Sequence, residues 1–203
     1  MKVIGLTGGF KTGKSTVTRM LLELGAEVII DADKLARKAL KPDSTTYKKI
    51  IKEFGEKFLD DEGRINRRKL AKLVFSNEEK LNLLNSIIHP YVIDKVKEKI
   101  YRTKQSSPNA IIIVDAPLLY EAGMQNMMDK IIVVSATKNK QIQRARQTTS
   151  LSEYEVKRRI ENQLPLTEKE ELADIVIENN GTLEDTKSQV KKMWESEKND
   201  SKR

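Results

Sequence analysis

The chain has 203 residues, with 38 Lys and Arg against 30 Asp and Glu, a net charge of +8, and no cysteine. This is the length of one domain, or of one domain carrying inserted subdomains; the absent thiols exclude disulfides and thiolate metal sites, and no apolar run reaches the ~18 residues of a membrane span. The basic balance points to anionic partners, and because both charge signs are interspersed and aromatic residues make up only 5%, nucleotides are favoured over nucleic acid.

Residues 3–7, Val-Ile-Gly-Leu-Thr, form a short apolar strand that starts without a leading charged and apolar segment, so the expectation is a soluble, cytoplasmic protein. The strand runs into Gly8-Gly9-Phe10-Lys11-Thr12-Gly13-Lys14-Ser15-Thr16, where Gly8 to Ser15 fits the phosphate-binding pattern G-x-x-x-x-G-K-[ST]. Val17, Met20, Leu21 and Leu24 follow at helical spacing, so strand, loop and helix stand in the order the motif requires. Gly8, Gly9 and Gly13 are expected at positive φ, turning backbone N–H groups of Lys11, Thr12 and their neighbours toward phosphate. The helix N-terminus behind them favours anions. Lys14 supplies a cation for the β- and γ-phosphates, and the Ser15 hydroxyl is placed to ligate Mg²⁺.

Further apolar runs at 110–114, 130–135 and 174–178, with 27–30 as a fifth, read as buried strands. Helical patterns lie between them. The fold class is therefore α/β, a parallel sheet flanked by helices, and ligands gather at the carboxyl ends of its strands. That rule collects Gly8 to Ser15, Asp31 to Asp33, Asp115 to Glu121, and the turn Asn179-Asn180-Gly181. Asp33 is the candidate carboxylate for an acceptor hydroxyl, while Asp31 is read either as a helix cap or as a second site carboxylate. Asp115 ends its strand where a carboxylate reaches Mg²⁺ directly or through water.

Residues 32–108 form a helical insertion too long for a simple crossover, read as a substrate-binding subdomain. Tyr47, Ile50, Ile51 and Phe54 keep helical spacing up to a stop at Gly55, and Asn66 caps a helix bearing Leu70, Leu73 and Val74. The pattern from Glu78 to Lys104 is expected to break or kink at Pro90. His89 beside it is read as a structural histidine, with contact to an anionic substrate as the other reading. Residues 137–172 form a second, charged insertion read as a lid, with capping boxes at Ser152/Glu155 and Thr167/Glu170. Arg144, Arg146, Arg158 and Arg159 are its candidate cations. The polar tail beyond Trp194, and 199–203 above all, is expected to fray.

These residues resemble the dephospho-coenzyme A kinase family along residues 3–193. The resemblance is carried by Ile4-Gly5-Leu6-Thr7-Gly8-Gly9, Gly13-Lys14-Ser15-Thr16, Ile30-Asp31-Ala32-Asp33, Asn66-Arg67 and His89-Pro90. It continues through Asp115-Ala116-Pro117-Leu118-Leu119-Tyr120-Glu121, Arg159-Ile160 with Gln163, and Asn179-Asn180-Gly181. It implies a P-loop kinase core (1–31, 109–136 and 173–198), a helical acceptor domain (32–108) and a helical lid (137–172). The implied reaction is ATP- and Mg²⁺-dependent phosphorylation of a ribose 3′-hydroxyl, with Asp33 as base and Lys14 and Arg144 on the phosphates. The nucleotide is implied on Gly8, Gly9, Lys11, Thr12, Gly13, Lys14, Ser15 and Thr16 with Asn180 and Gly181, the metal on Ser15 and Asp115, and dephospho-coenzyme A on Asp33, Arg67, His89, Leu118 and Glu121.

The chain departs from the family in three places. Thr148 stands where a second lid arginine is common, Phe10 where a smaller aliphatic residue is usual, and an extra isoleucine precedes Asp31 in Val28-Ile29-Ile30. The alternatives are a nucleoside or nucleoside-monophosphate kinase, sharing loop, lid and helical acceptor domain, and a non-enzymatic ATP-dependent RNA-binding regulator. The sequence fixes no oligomeric state.

Overall fold

Five short β-branched segments build one sheet in the computed structural model, which describes residues 1–200. They are β1 (Lys2–Gly8), β2 (Val28–Asp31), β3 (Ile111–Asp115), β4 (Lys130–Ser135) and β5 (Ile175–Glu178), in the order β2-β3-β1-β4-β5. All four pairings are parallel. Such strands are buried on both faces, which is why they read as near-continuous Ile and Val runs. β1 is central, pairing Lys2 with Ile111 of β3 and Ile4 with Lys130 of β4.

Contacts divide the chain into two compact units, residues 1–31 with 99–203, and residues 32–98. The sheet unit is covered by α1 (Lys14–Glu23) and, among its other helices, α9 (Leu183–Asp200). Its core joins Ile4, Leu6, Val17, Leu21, Ile113, Ile132, Val190 and Trp194. The Trp194 indole N–H donates to the Leu24 carbonyl at 2.9 Å, so this large side chain satisfies its polar end where α1 stops.

The helical unit holds α2 (Ala32–Ala39), α3 (Thr45–Phe54), α4 (Arg67–Phe75) and most of α5 (Glu78–Ser106). Ile50, Phe54, Phe58, Ile65, Leu70 and Val74 form its core. The Asn66 side chain accepts from the Lys69 N–H, and Gly55 ends α3 at φ 88°, as the pattern predicts. Pro90 behaves otherwise. The helix runs through it to Ser106. Both Pro90 and Ser86, whose carbonyl loses its N–H partner, are exposed, so water can serve that carbonyl.

The tail is corrected too. Residues 195–200 continue α9, and Glu197 is only 1% exposed because Lys2 and Lys130 both pair with it. Residues 201–203 of the expected frayed tail lie outside the described residues. Among the described residues no helix is long and apolar enough to cross a membrane.

Candidate active site

The loop between β1 and α1 is built by residues that tolerate unusual backbone. Gly13 has φ +97° and Lys11 has φ 59°, whereas Gly9 does not take the positive φ expected of it. A Cβ on Gly13 would lie 2.0 Å from Asn179 Nδ2, so both conformation and space require glycine there. Gly9 instead is confined by neighbours: its Cβ would meet Thr12 Cγ2 at 3.2 Å and Gln141 Oε1 at 3.3 Å. Thr12 closes the turn, with its hydroxyl donating to the Gly9 carbonyl at 3.0 Å. Phe10 N–H is taken by Gln163 Oε1 at 2.8 Å. Among the described residues the N–H groups of Lys11, Gly13, Lys14 and Ser15 have no protein acceptor. They lie at the N-terminus of α1, an arrangement suited to an anion.

Lys14 and Asp115 form an ion pair, and the second Asp115 oxygen accepts from the Thr18 hydroxyl at 2.7 Å. Thr18 is one turn along α1 from Lys14, a position no motif singles out. Asp115 is also the register partner of Asp31 across β3 and β2. Ser15 and Asp33 are exposed, the latter in the first turn of α2 in the helical unit. Arg67 is exposed as the first residue of α4, and His89 is half-buried on α5, both in that same unit.

The charged insertion forms α6 (Lys138–Thr148), α7 (Glu153–Glu161) and α8 (Leu166–Glu171) within the sheet unit. Ser152 and Glu155 make the expected capping box. Thr167 does not cap: α8 begins at Leu166 after Pro165, which puts Thr167 inside the helix. The four arginines separate by partner. Arg144 donates to the Thr12 carbonyl at 2.9 Å and the Asn179 carbonyl at 2.7 Å, bracing the loop from outside. Arg146 pairs with Glu153 at the surface. Arg159 lies 5.8 Å from the centre of the Phe10 ring, and burial lowers its pKa despite the opposing pull of Glu155. Arg158 has its Nε buried without a partner.

The segment after Asp115 is tied to α8. Lys169 is 0% exposed, with its ammonium 2.7 Å from Glu121 Oε1 and 3.0 Å from the Pro117 carbonyl. Burial pushes its pKa down, opposed by the Glu121 carboxylate. Leu118 is half-buried in the same segment. Lys169 is the functional candidate that sequence reasoning passes over, because it sits in what reads as a solvated capping box.

A cleft of 680 Å³ opens where β4 and β5 end, walled by Thr137, Lys138, Gln141, Leu166, Val176 and Asn180. It borders the loop, since Gln141 and Leu166 are the side chains packed against Gly9. Asn180 Oδ1 accepts from Thr137 N–H at 2.8 Å, closing the cleft's rim. Asn179 Nδ2 holds the Thr12 carbonyl at 2.8 Å, and its oxygen accepts from Thr186 at 2.9 Å. Gly181 precedes α9, close enough that a Cβ there would meet Asp185 Oδ2 at 2.6 Å.

A phosphate loop at the carboxyl edge of a parallel sheet, a cleft beside it and a helical insertion define a P-loop kinase fold. The solved structure of TT1252 from Thermus thermophilus superposes with a TM-score of 0.78 at 33% identity, covering 97% of each chain. A dephospho-CoA kinase from Campylobacter jejuni gives 0.71 at 29% identity, again over 97% of each. A protein of Carboxydothermus hydrogenoformans named dephospho-CoA kinase is 45% identical over 190 residues, 94% of this chain and 91% of that one. The sequence model of dephospho-CoA kinases matches residues 2–185. The chain belongs to the dephospho-CoA kinase family, and it is a kinase.

Proposed function

We propose that the protein transfers the γ-phosphoryl group of ATP, with Mg²⁺, to the ribose 3′-hydroxyl of dephospho-coenzyme A, giving coenzyme A and ADP. The observation that carries this reading is the loop itself: four unsatisfied N–H groups at the start of α1, with Lys14 held beside them by Asp115. The cleft bordering Gly9 has the size of a ligand pocket and suits the adenosine part of ATP, with Asn180 and Gly181 at its rim.

Ser15 and Asp115 are the residues that would hold Mg²⁺. Among the described residues no cluster of three or more His, Cys, Asp or Glu could hold a metal. One hydroxyl and one carboxylate suit Mg²⁺, which keeps several waters and takes the rest of its ligands from one or two carboxylates and substrate phosphates. Held there, the ion would offset negative charge on the phosphates.

On ATP binding, Lys14 turns from Asp115 to the β- and γ-phosphates, and the loop N–H groups donate to the phosphate oxygens. The ribose oxygen attacks the γ-phosphorus, a new O–P bond forms as the bond to the β-phosphate oxygen breaks, and the hydroxyl proton passes to Asp33. Asp33 is supported by its place two residues beyond the end of β2, in the first turn of α2. Residues 32–108 serve as the acceptor domain, with Arg67 and His89 as its contacts to dephospho-coenzyme A, and Leu118 and Glu121 are further substrate-binding residues. Residues 32–98 carry 16 Lys and Arg against 11 Asp and Glu, which favours an acceptor carrying phosphate. Residues 137–172 act as the lid, excluding water that would otherwise hydrolyse ATP.

The test is ADP release from purified protein with ATP and Mg²⁺, supplied in turn with dephospho-coenzyme A, nucleosides and nucleoside monophosphates. Stimulation by dephospho-coenzyme A above the others is expected. Stimulation by a nucleoside or its monophosphate alone would replace this acceptor with that one.

A further inference from the structure

A lysine with no solvent exposure is costly unless its bonds repay the desolvation, and an aliphatic side chain would fill the same space without that cost. Lys169 is such a residue. Its ammonium meets two partners that belong to different pieces of the site. One is the Pro117 carbonyl, in the turn directly behind Asp115, which also accepts from the Thr7 hydroxyl at 3.2 Å, one residue before the phosphate loop. The other is Glu121, whose same oxygen receives the Leu164 N–H at 2.9 Å, in the link between α7 and α8. A single chain of contacts therefore runs Leu164, Glu121, Lys169, Pro117, Thr7.

Two more bonds fasten α8 to the sheet unit: the Tyr120 hydroxyl donates to the Leu172 carbonyl at 3.0 Å, and Ser135 bonds Glu170. The link at Leu164 has only the Glu121 oxygen for its N–H. Just before it, Gln163 holds the Phe10 N–H. So α8 is fastened beside the sheet, and Leu164 lies in the short link that joins it to α7.

We propose that Lys169 is a positioning residue for phosphoryl transfer, acting through Pro117 and Glu121 to keep the turn behind Asp115 and the link between α7 and α8 in one fixed relation. This rests on the reading of residues 137–172 as a lid over ATP. Lys169 touches no substrate. Its charge also reaches the catalytic lysine, for the positive charge of Lys14 is among the causes that lower its pKa.

The experiment compares wild type with Lys169→Met, Lys169→Arg and Glu121→Gln in steady-state kinetics, urea unfolding and hydrogen exchange. Lys169→Met, still folded, is expected to lower kcat about 10-fold or more while the KM for ATP moves less than about 3-fold. Exchange is expected to rise together in residues 116–121 and 160–165, and Lys169→Arg to recover part of kcat. A folded Lys169→Met with kcat within about 2-fold of wild type, or exchange rising in one segment alone, overturns the proposal. If Lys169→Met does not fold, Glu121→Gln decides by the same exchange criterion: a joint rise supports the coupling, and unchanged or one-sided exchange removes it. If wild type releases no ADP with dephospho-coenzyme A, the acceptor reading fails by itself, and the exchange measurements still decide the role of Lys169.

Discussion

Arg144 and Asn179 grip the same atom: Arg144 Nη1 and Asn179 Nδ2 donate to the Thr12 carbonyl at 2.9 and 2.8 Å, and Arg144 Nη2 returns to the Asn179 carbonyl at 2.7 Å. The backbone of the phosphate loop is thus held in shape by a side chain from α6 and one from the end of β5. Its N–H groups are aimed before any phosphate arrives.

Arg144→Ala strips these carbonyls of a charged donor, a loss of about 1.5–3 kcal/mol for such bonds, or roughly 10- to 100-fold in an equilibrium. We expect kcat/KM for ATP to fall by about that factor, with KM rising as well as kcat falling. A cation acting on the transition state alone would leave KM unchanged. Steady-state kinetics over a range of ATP concentrations separates the two.

Gly13→Ala adds a methyl where Asn179 Nδ2 stands 2.0 Å away, at φ +97°. Backbone strain of about 1–3 kcal/mol and displacement of Asn179 are expected together. ATP binding by titration calorimetry should be lost and the melting temperature lowered. Retained affinity would mean that the loop is not held by Asn179.

Asp33→Asn keeps the shape of the side chain and removes its capacity to take a proton. Turnover should fall by at least about 10²-fold, the lower range for general base catalysis, with ATP affinity within about 2-fold of wild type. Unchanged turnover excludes Asp33 as the base.

Glu197 is the partner of both Lys2 and Lys130, and replacing it leaves the two lysines to share the half-exposed Asp200, 3.6 Å from each. Glu197→Gln is expected to cost about 1–3 kcal/mol in urea unfolding, below the loss for a fully buried pair because Lys130 is 32% exposed. Glu197 raises the Lys130 pKa above its ordinary value. That contribution is complete below the unfolded-state pKa, near 10.5, and is lost as pH rises through the higher folded-state value. The stability gap between wild type and Glu197→Gln should therefore hold from neutral pH to about 10 and narrow beyond it. A gap that stays unchanged above about pH 10 would assign the effect to a group other than Lys130.

The sheet was legible because strands buried on both faces leave no polar alternation, so Ile111-Ile112-Ile113-Val114 admits few other readings. The phosphate loop was legible because its backbone demands glycine at 13. At Pro90 the rule against internal proline counts a lost hydrogen bond, yet the helix does not break there, and Ser86, whose carbonyl loses its donor, is open to solvent. Thr167 and Glu170 misled in another way. They match a capping box letter for letter, but Pro165 starts the helix earlier, and Lys169 between them points into the core. Local pattern carries caps and strands; it carries nothing about which lysine of thirty-eight basic residues meets a half-buried carboxylate from a turn some fifty positions away. Arg144 shows the same limit, since its partners come from Thr12 and Asn179, at opposite ends of the chain.

The parallel order of the sheet bears on how the molecule comes together in time. β1 lies at the centre, yet Lys2 finds its neighbour only at Ile111 and Ile4 finds its second only at Lys130. Loop closure over so long a span adds little to the equilibrium cost, because that cost grows only with the logarithm of length. It weighs on the rate, for no pair of strands in this sheet can form from adjacent sequence. The local helices of residues 32–98 are free to form first, and folding is expected to show a fast helical phase followed by a slower one in which the sheet, and the phosphate loop with it, appears at once.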